Sequence, residues 1–434
     1  MNARTIAVVA MLVLAAGPAS SAQEPEAQGK TLHLMHIQTA DVTRKAVQDA
    51  VDRFTEKTGA QVTVESIKND PYKLKIGVAL RSDSPPDVFH TWGGGVLAGF
   101  ANEGAVAPLP DTFSLQGVSP RALAFCEVDG KTYAVPADVS IVGFWYRKSV
   151  FAQHGIKPPK TFFELLSACA RLKQAGVTPI ALGNVEHWPG AFYFDYLMLR
   201  LGAAKQYIEA SNAAGNPADI PATRVAGGLI RALVEMDAFN EGFNGMKYDQ
   251  SRGVLFKGEA AMTLMGSWLL SYAMSNREDV VPDLGLFAFP PLDPGPDSRS
   301  LIGGINAAYA VAAKSKHKDL AFELVRFLTD EAAARDWAAT GRIPARKVEM
   351  KDAAPVLAEA LALIEGASRI QLYFDQALEP AVGALHKPYT QSLFAAEASP
   401  LWARVLVGVG AILVLLLLVI VLKIAFRSGE GRGA

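Results

Sequence analysis

The sequence predicts an α/β fold with a largely parallel sheet, and two observations carry this prediction. Strand-like and helix-like hydrophobic patterns alternate near the start of the chain in the order β-α-β-α-β, which is typical of α/β sheets. Half of the 434 residues are hydrophobic and only 20% are charged, so the chain can bury a large core. The length is that of two domains or one large one.

The elements of this pattern follow from local periodicity. Apolar residues at Val47, Ala50, Val51 and Phe54 recur at helical spacing, and Gly59 supplies a helix stop. In chain order we predict a strand at 32–37, a helix at 43–58, a strand at 62–67, a helix around 73–81 and a short strand at 88–89. Further along we predict helices at 161–174, 225–236 and 266–275, a strand-like stretch at 300–313 and another helix after it.

The first 22 residues are typical of a secretory signal peptide, which we place at 1–22. Arg4 gives a positive start, and the apolar stretch 6–16 is too short to span a bilayer. Ser20 and Ala22 are small residues at the positions that a signal peptidase requires. The residue directly after the cleavage site is Gln23 and not a cysteine, so a lipoprotein signal is not predicted.

The other end of the chain carries an uninterrupted apolar run of 18 residues, 405–422. A helix of that length, with its flanks, can cross the ~30 Å hydrocarbon core of a bilayer. Lys423, Arg427 and Arg432 follow the run, whereas only Arg404 stands just before it, which predicts a cytoplasmic C-terminus. We therefore predict a juxtamembrane linker at 396–404, a transmembrane helix at 405–426 and a cytoplasmic tail at 427–434.

Composition excludes several classes of function. The 42 basic and 43 acidic residues give a net charge of −1, without the basic excess that nucleic-acid binding requires. Two cysteines are too few for a disulfide scaffold or a thiolate metal cluster; Cys126 and Cys169 form either a disulfide or two buried thiols. No phosphate-binding loop, G-x-S-x-G or H-E-x-x-H motif is present, so we predict no enzyme, no metal and no cofactor.

The positive signal for a binding site lies in three tryptophans. Trp92 is followed by glycine, Trp188 is followed by Pro-Gly, and Trp268 ends a Gly-Ser-Trp sequence. Such settings favour display at a surface or cleft, where an aromatic ring suits the flat apolar face of a sugar and neighbouring polar side chains take its hydroxyl groups. The alternative is that these are three ordinary half-buried tryptophans.

Several segments, in this order along residues 30–390, resemble the bacterial extracellular solute-binding proteins of carbohydrate ABC transporters, which are relatives of maltose-binding protein. The segments are PPDVFHTWGG (85–94), GAVAPL (104–109), DGKTYAVP (129–136), WYRKSVF (145–151), KGEAAM (257–262), GSW (266–268), GGIN (303–306), GRIPA (341–345) and YFDQ (373–376). Each segment alone is only moderately specific, and their common order gives the resemblance its weight.

The resemblance implies a two-lobed periplasmic-binding-protein fold whose cleft closes over a sugar. The chain would cross between the lobes three times, near 137–140, 301–304 and 343–345, and closure would be a hinge motion about these crossings. The implied N-terminal lobe comprises 30–138 and 304–343, and the implied C-terminal lobe comprises 139–303 and 344–395.

The resemblance also implies binding residues. Trp92, Trp268 and Asp375 would contribute to the ligand cleft, and Asn306 would lie by a hinge at the cleft floor. Five further candidates stand at loop or crossing positions with suitable side chains: Gln38, Asp41, Asp138, His187 and Trp188. For each of the five, the alternative is a solvated, capping or packed residue.

The sequence thus predicts a membrane-tethered carbohydrate-binding protein on the extracytoplasmic face of the inner or plasma membrane, with a single pass. It would capture a mono- or oligosaccharide by hinge closure and deliver it to the permease subunits of an ABC transporter. The C-terminal helix departs from the family, whose members are usually free or held by an N-terminal lipid. This departure suggests an alternative, a ligand-sensing module coupled to a membrane receptor or kinase. A secreted carbohydrate-active enzyme is a third candidate.

Overall fold

The computed structural model describes residues 27–213, 215–292, 297–350 and 353–395. The predicted signal peptide and the predicted linker, transmembrane helix and tail lie outside the described residues. Among the residues that are described, no helix is both long and apolar enough to cross a membrane.

Strands and helices alternate along the whole described chain. The strands are β1 (Thr31–His36), β2 (Gln61–Ser66), β3 (Val88–Thr91), β4 (Glu127–Val128), β5 (Lys131–Thr132), β6 (Ala134–Arg147), β7 (Thr178–Ile180), β8 (Ala260–Gly266), β9 (Leu284–Phe287), β10 (Leu301–Val311), β11 (Ile343–Pro344) and β12 (Ile370–Leu372). The α-helices are α1 (Asp41–Thr58), α2 (Asn69–Arg81), α3 (Gly94–Asn102), α4 (Pro120–Leu123), α5 (Lys148–Gln153), α6 (Phe162–Gln174), α7 (Trp188–Arg200), α8 (Ala204–Asn212), α9 (Pro221–Glu235), α10 (Tyr248–Phe256), α11 (Leu269–Asn276), α12 (Lys318–Thr329), α13 (Glu331–Ala339), α14 (Pro355–Gly366), α15 (Phe374–Ala377) and α16 (Pro380–Ser392).

The first five predicted elements are all present. Four of them lie within two residues of their predicted bounds, and α2 starts earlier than the helix predicted around 73–81. Helix α1 buries the predicted apolar stripe and ends at Gly59, whose φ of 74° is the left-handed conformation that glycine adopts without strain. The predicted helix at 266–275 begins later, at Leu269, because the preceding residues form the buried strand β8. Since β8 is buried throughout and apolar except for Thr263, its sequence carries no regular alternation that would mark it as a strand.

Ten of the described strands form one sheet, whose main order is β2-β1-β3-β10-β6-β8-β7, with β9 and β11 beside β6 and β12 beside β10. Strands β4 and β5 form a separate two-stranded sheet. The prediction of a largely parallel sheet holds for β1, β2 and β3, which are parallel. It is wrong for the centre, where β10 runs antiparallel to β3 and β6, and β6 runs antiparallel to β8 and β9. Among the described strands that pair with the long strands β6 and β10, only the short β12 is parallel, to β10. Local periodicity marks a strand but does not state the direction of its partner.

Buried side chains form separate cores at the two ends of this sheet. In the first lobe, built on β1, β2 and β3, the two faces of the sheet bury different side chains: Leu34 packs on one face and Met35 on the other. The second lobe, built on β7, β8 and β9, has a single larger core. Strand β6 contributes Ala137 to the first lobe and Ile141 to the second, so it passes from one core to the other within a few residues.

Cys126 and Cys169 are free and buried, each in the core of a different lobe. Burial in apolar surroundings raises the pKa of Cys169 to about 12 and that of Cys126 further still. Of the two alternatives that the sequence left open, the structure therefore has the two buried thiols.

Candidate functional site

A cavity of about 480 Å³ lies between the two lobes. The first lobe lines it with the residues that follow β1, with the start of α2 and with the residue after β3. The second lobe lines it with the starts of α7, α10 and α11. Loops that follow the carboxyl ends of strands are the usual ligand-binding positions in α/β folds, and the first-lobe wall is built from such loops.

Most of the predicted site residues meet in this cavity. Seven of the nine line it: Gln38, Asp41, Trp92, Trp188, Trp268, Asn306 and Asp375. The other two, Asp138 and His187, do not line it, and each contacts or adjoins residues that do.

Aromatic side chains of the second lobe form one side of the cavity. We define the aromatic wall as Trp188, Phe192, Tyr248, Trp268, Tyr272 and Tyr373. The ring centroids of Trp188 lie 5.0 Å from Tyr248 and 6.0 Å from Trp268, in edge-to-face arrangements. Trp188 and Trp268 are partly exposed, so their rings offer surface to a ligand.

A glycine makes room for Trp268 in this wall. A Cβ atom on Gly266, the last residue of β8, would lie only 2.1 Å from the Trp268 ring. The Gly-Ser-Trp sequence that drew attention to Trp268 therefore has a steric cause, since the indole folds back over the glycine.

Trp92 is in a different position, and the expectation of an exposed ring is wrong for it. Only 6% of Trp92 is exposed. Its ring packs edge-to-face with His90 and Tyr72, at centroid distances of 4.9 and 5.7 Å, and the Lys73 ammonium lies 5.2 Å from its centroid. The adjacent glycines do not expose the ring, because neighbours from β3 and α2 cover it.

The floor of the cavity is a buried polar network. The Arg342 guanidinium lies 3.4 Å from Asp138 Oδ2 and donates to Gln38 Oε1 at 3.3 Å. The same Asp138 oxygen accepts a hydrogen bond from Asn306 Nδ2 at 2.8 Å, and Arg342 Nε donates to Ser271 Oγ of the second lobe at 2.8 Å. Asp138 itself does not line the cavity, but it orients Asn306 and Arg342, which do.

The electrostatics of this network are dominated by burial. Asp138 is fully buried, and desolvation raises the pKa of its carboxyl to about 6, although Arg342 and Asn306 oppose the shift. At neutral pH the carboxylate is therefore still ionised and pairs with the guanidinium.

His187 positions its neighbours through the backbone. Its φ of 68° and ψ of −38° are unusual for a residue with a side chain, and Trp188 N donates to Glu186 O across it at 2.8 Å. This is a γ-turn of the rare, strained type. The turn places Glu186 and Trp188, which both line the cavity, on either side of His187.

Buried polar atoms of several cavity-lining residues have no hydrogen-bond partner within the described part of the protein. They include Gln38 Nε2, Trp188 Nε1 and Gln376 Oε1, and also the hydroxyl of Tyr248. Buried polar groups are normally paired, so unpaired groups at a cavity point to a ligand that pairs them. Two N–H donors and one carbonyl acceptor suit hydroxyl groups, which both donate and accept.

Sequence reasoning missed several residues of the cavity, notably Arg252, Tyr272, Arg342 and Gln376. Arg342 and Gln376 lie within two of the segments that carry the family resemblance, so the resemblance could have led to both. Arg252 and Tyr272 lie inside helices, and nothing in their local sequence marks them.

A family model described as bacterial extracellular solute-binding protein matches residues 39–335. The chain belongs to this family. The resemblance seen in the sequence is thereby confirmed, and so is the prediction of a binding protein rather than an enzyme, because the family consists of solute-binding proteins.

The sequences of individual relatives align with this solute-binding protein along most of its length. An uncharacterized ABC transporter extracellular-binding protein of Pyrococcus horikoshii is 26% identical over 363 residues, covering 79% of each chain. The diacetylchitobiose binding protein DasA of Streptomyces coelicolor is 27% identical over 307 residues, covering 68% of this chain and 69% of its own.

Solved structures show the same two-lobed fold. A protein from work on xylan utilization by Caldanaerobius polysaccharolyticus superposes with a TM-score of 0.78 at 27% identity, over 84% of this chain and 95% of its own. A chitin oligosaccharide binding protein superposes with a TM-score of 0.76 at 23% identity, over 84% and 93% of the two chains. The predicted two-lobed α/β fold of the solute-binding proteins is confirmed.

The stability of this solute-binding protein should fall in acid because of His36, at the end of β1. Burial, with a smaller contribution from Arg44, lowers the pKa of His36 from 6.5 to about 4, and Gln38 N donates to its Nδ1 at 3.0 Å. The folded state thus binds the proton less well than the unfolded state, and stability that is complete above pH 6.5 is lost as pH falls to 4. The expected loss is about 3 kcal/mol.

Urea unfolding of the wild type and of His36→Asn at pH 7 and pH 4 measures this loss. The variant keeps an acceptor for Gln38 N but does not titrate, so the wild type should lose about 3 kcal/mol more than the variant. An equal loss in both proteins would show that His36 is not held neutral.

Proposed function

We propose that this solute-binding protein captures a carbohydrate in the interlobe cavity by hinge closure and delivers it to the permease of an ABC transporter. The observation that carries the proposal is the aromatic wall, which faces a polar floor across a cavity of about 480 Å³. Flat apolar rings opposite convergent polar groups are what a sugar ring with its hydroxyl groups requires. The relatives add support, since they include a multiple sugar-binding protein of Streptococcus mutans and an α-glucosides-binding periplasmic protein of Rhizobium meliloti.

The proposed roles of the side chains follow from their positions. Trp188 and Trp268 stack on sugar rings, because they are the partly exposed tryptophans of the wall. Polar residues hydrogen-bond the hydroxyl groups: Gln38, Asp41, Asn306, Asp375 and Gln376. Trp92 closes the first-lobe side, while Asp138 and His187 act indirectly, through Arg342 and Trp188.

The proposed lobes comprise 30–138 with 304–343, and 139–303 with 344–395. The proposed hinges lie near 137–140, 301–304 and 343–345. The pairing of β11 with β6 supports these positions, since Ile343 lies opposite Val139 and Pro344 opposite Asp138, so two of the crossings are adjacent in the sheet. The third is adjacent as well, because Gly304 of β10 lies opposite Ser140.

The family supports an extracytoplasmic location, since its members are extracellular solute-binding proteins. We further propose that the signal peptide at 1–22 directs export and that the apolar run 405–422 tethers the protein to the membrane. Both rest on the sequence patterns described above. No observation on the described residues favours the alternative of a ligand-sensing module.

Thermal unfolding of the full-length protein in a non-sugar detergent, across a panel of mono- and oligosaccharides, tests the proposal. A sugar that binds only the folded state stabilises it by about 2.7 kcal/mol at a hundredfold excess over its Kd. We expect one class of sugar to raise the Tm and the others to leave it unchanged. A folded protein whose Tm no sugar raises would contradict carbohydrate binding.

A further inference from the structure

Direct contacts join the two lobes along the rim of the cavity. The Lys68 ammonium, just before α2 in the first lobe, lies 2.8 Å from Asp249 Oδ2 of α10 in the second lobe. Beside this pair, Thr39 Oγ1 and Tyr272 Oη lie 3.4 Å apart. Lys68 and Asp249 are 71% and 46% exposed, so the pair stands where the cavity meets solvent.

Asp249 has a second partner inside the cavity. Its Oδ1 lies 3.1 Å from Arg252 Nη1, one helical turn further along α10. The guanidinium of Arg252 stacks on Tyr272 of the aromatic wall, 3.9 Å from the ring centroid, and lies 5.1 Å from that of Tyr248. Arg252 is largely buried, with 15% of its side chain exposed.

One carboxylate therefore does two things at once. Through Oδ2 it holds the first lobe at the rim, and through Oδ1 it fixes the arginine that covers Tyr272. If the lobes separate, Lys68 no longer pairs with Asp249, and of these two cations only Arg252 remains beside the carboxylate.

We propose that Asp249 is a positioning residue that latches the lobes together and so sets how long a bound sugar stays in the cavity. The part of this statement that concerns a sugar rests on the proposed function. The latch itself is a property of the protein alone, and it depends on the contacts of Asp249 with Lys68 and Arg252.

The chain offers a matched control further along, on α2. Lys75 of α2 pairs with Glu65 of β2, and both residues belong to the first lobe. Lys75→Gln removes one surface charge and one ion pair, as Lys68→Gln does, but it breaks no contact between the lobes.

The distance between the lobes can be measured directly. Lys45 of α1 and Lys205 of α8 are 74% and 80% exposed on different lobes, and both native cysteines are buried, so the pair Lys45→Cys and Lys205→Cys accepts two spin labels. We expect Lys68→Gln and Asp249→Asn to shift the distance distribution to longer values, and Lys75→Gln to leave it unchanged. Combining the two latch variants should add nothing to Asp249→Asn alone, because they remove the same pair. Unchanged distances, or additive shifts, would overturn the latch.

Ligand dissociation gives the second readout, with diacetylchitobiose or raffinose as the probe, whichever raises the Tm. We expect the dissociation rate to rise about threefold in Lys68→Gln and about tenfold in Asp249→Asn, with a much smaller change in the association rate. A dissociation rate equal to that of the wild type in both variants would overturn the proposal. If no sugar binds the wild type, the proposed function fails, and the distance measurement still decides the latch.

Discussion

Asp138→Ala should cost about 3–5 kcal/mol of unfolding free energy at pH 7, which is the usual cost of leaving one member of a buried ion pair alone. Asp138 is fully buried and Arg342 is only 6% exposed, so both charges are largely removed from water. Without Asp138 the guanidinium cannot escape its charge by losing a proton, since arginine stays protonated in proteins. Asn306 Nδ2 also loses its acceptor.

The partner variant should be milder, and the difference is the decisive part of the experiment. In Arg342→Leu, Asp138 can take up a proton, because burial has already raised its pKa to about 6. Removing both charges in Asp138→Leu/Arg342→Leu should recover much of the loss seen in Asp138→Ala. Urea unfolding at pH 7 measures all three variants. If Arg342→Leu costs more than Asp138→Ala, the buried charge is not what sets the cost.

Trp92→Ala should mainly lower the free energy of unfolding, whereas Trp268→Ala should mainly weaken sugar binding. Trp92 is 94% buried against Tyr72 and His90, so its truncation should cost about 3–5 kcal/mol of unfolding free energy, as core tryptophans do. Trp268 is partly exposed in the aromatic wall. Its truncation should weaken sugar binding about tenfold or more, which is about 1.4 kcal/mol, with a smaller loss of stability.

Titration calorimetry with the sugar that raises the Tm, together with urea unfolding, separates the two effects. Trp268→Phe is the control, since it keeps an aromatic ring and should retain much of the affinity. Gly266→Ala tests the same ring from its other side, because the new methyl group would displace the indole. Full affinity in Trp268→Ala would remove Trp268 from the proposed site.

The sequence predicted well those features that depend on neighbouring residues. Helix α1 carries a complete apolar stripe and a glycine stop within its own length, so local periodicity was enough to find it. The antiparallel pairing of β6 with β10 was not predictable in this way, because the partners are far apart in the chain and nothing in either strand states its direction.

The same distinction explains the candidate site. Trp188 and Trp268 were found because a proline beside a tryptophan and a Gly-Ser-Trp sequence are local signals. The same signal led to the expectation that Trp92 is exposed, and this expectation is wrong. Tyr72, which packs against Trp92, lies on a helix about which the sequence around Trp92 carries no information. The role of Asp138 depends on Arg342, which approaches it only in the folded chain, and so no local pattern could reveal it.

The position of β10 has a consequence for the order in which the chain becomes native. Strand β10 lies between β3 and β6, yet it is synthesised after the larger of the two segments of the second lobe. The first lobe therefore stays incomplete while β1, β2 and β3 wait for a distant partner, and folds dominated by such distant pairings fold slowly. A late partner strand keeps the first lobe from completing its sheet early, which suits the export that we propose for this chain.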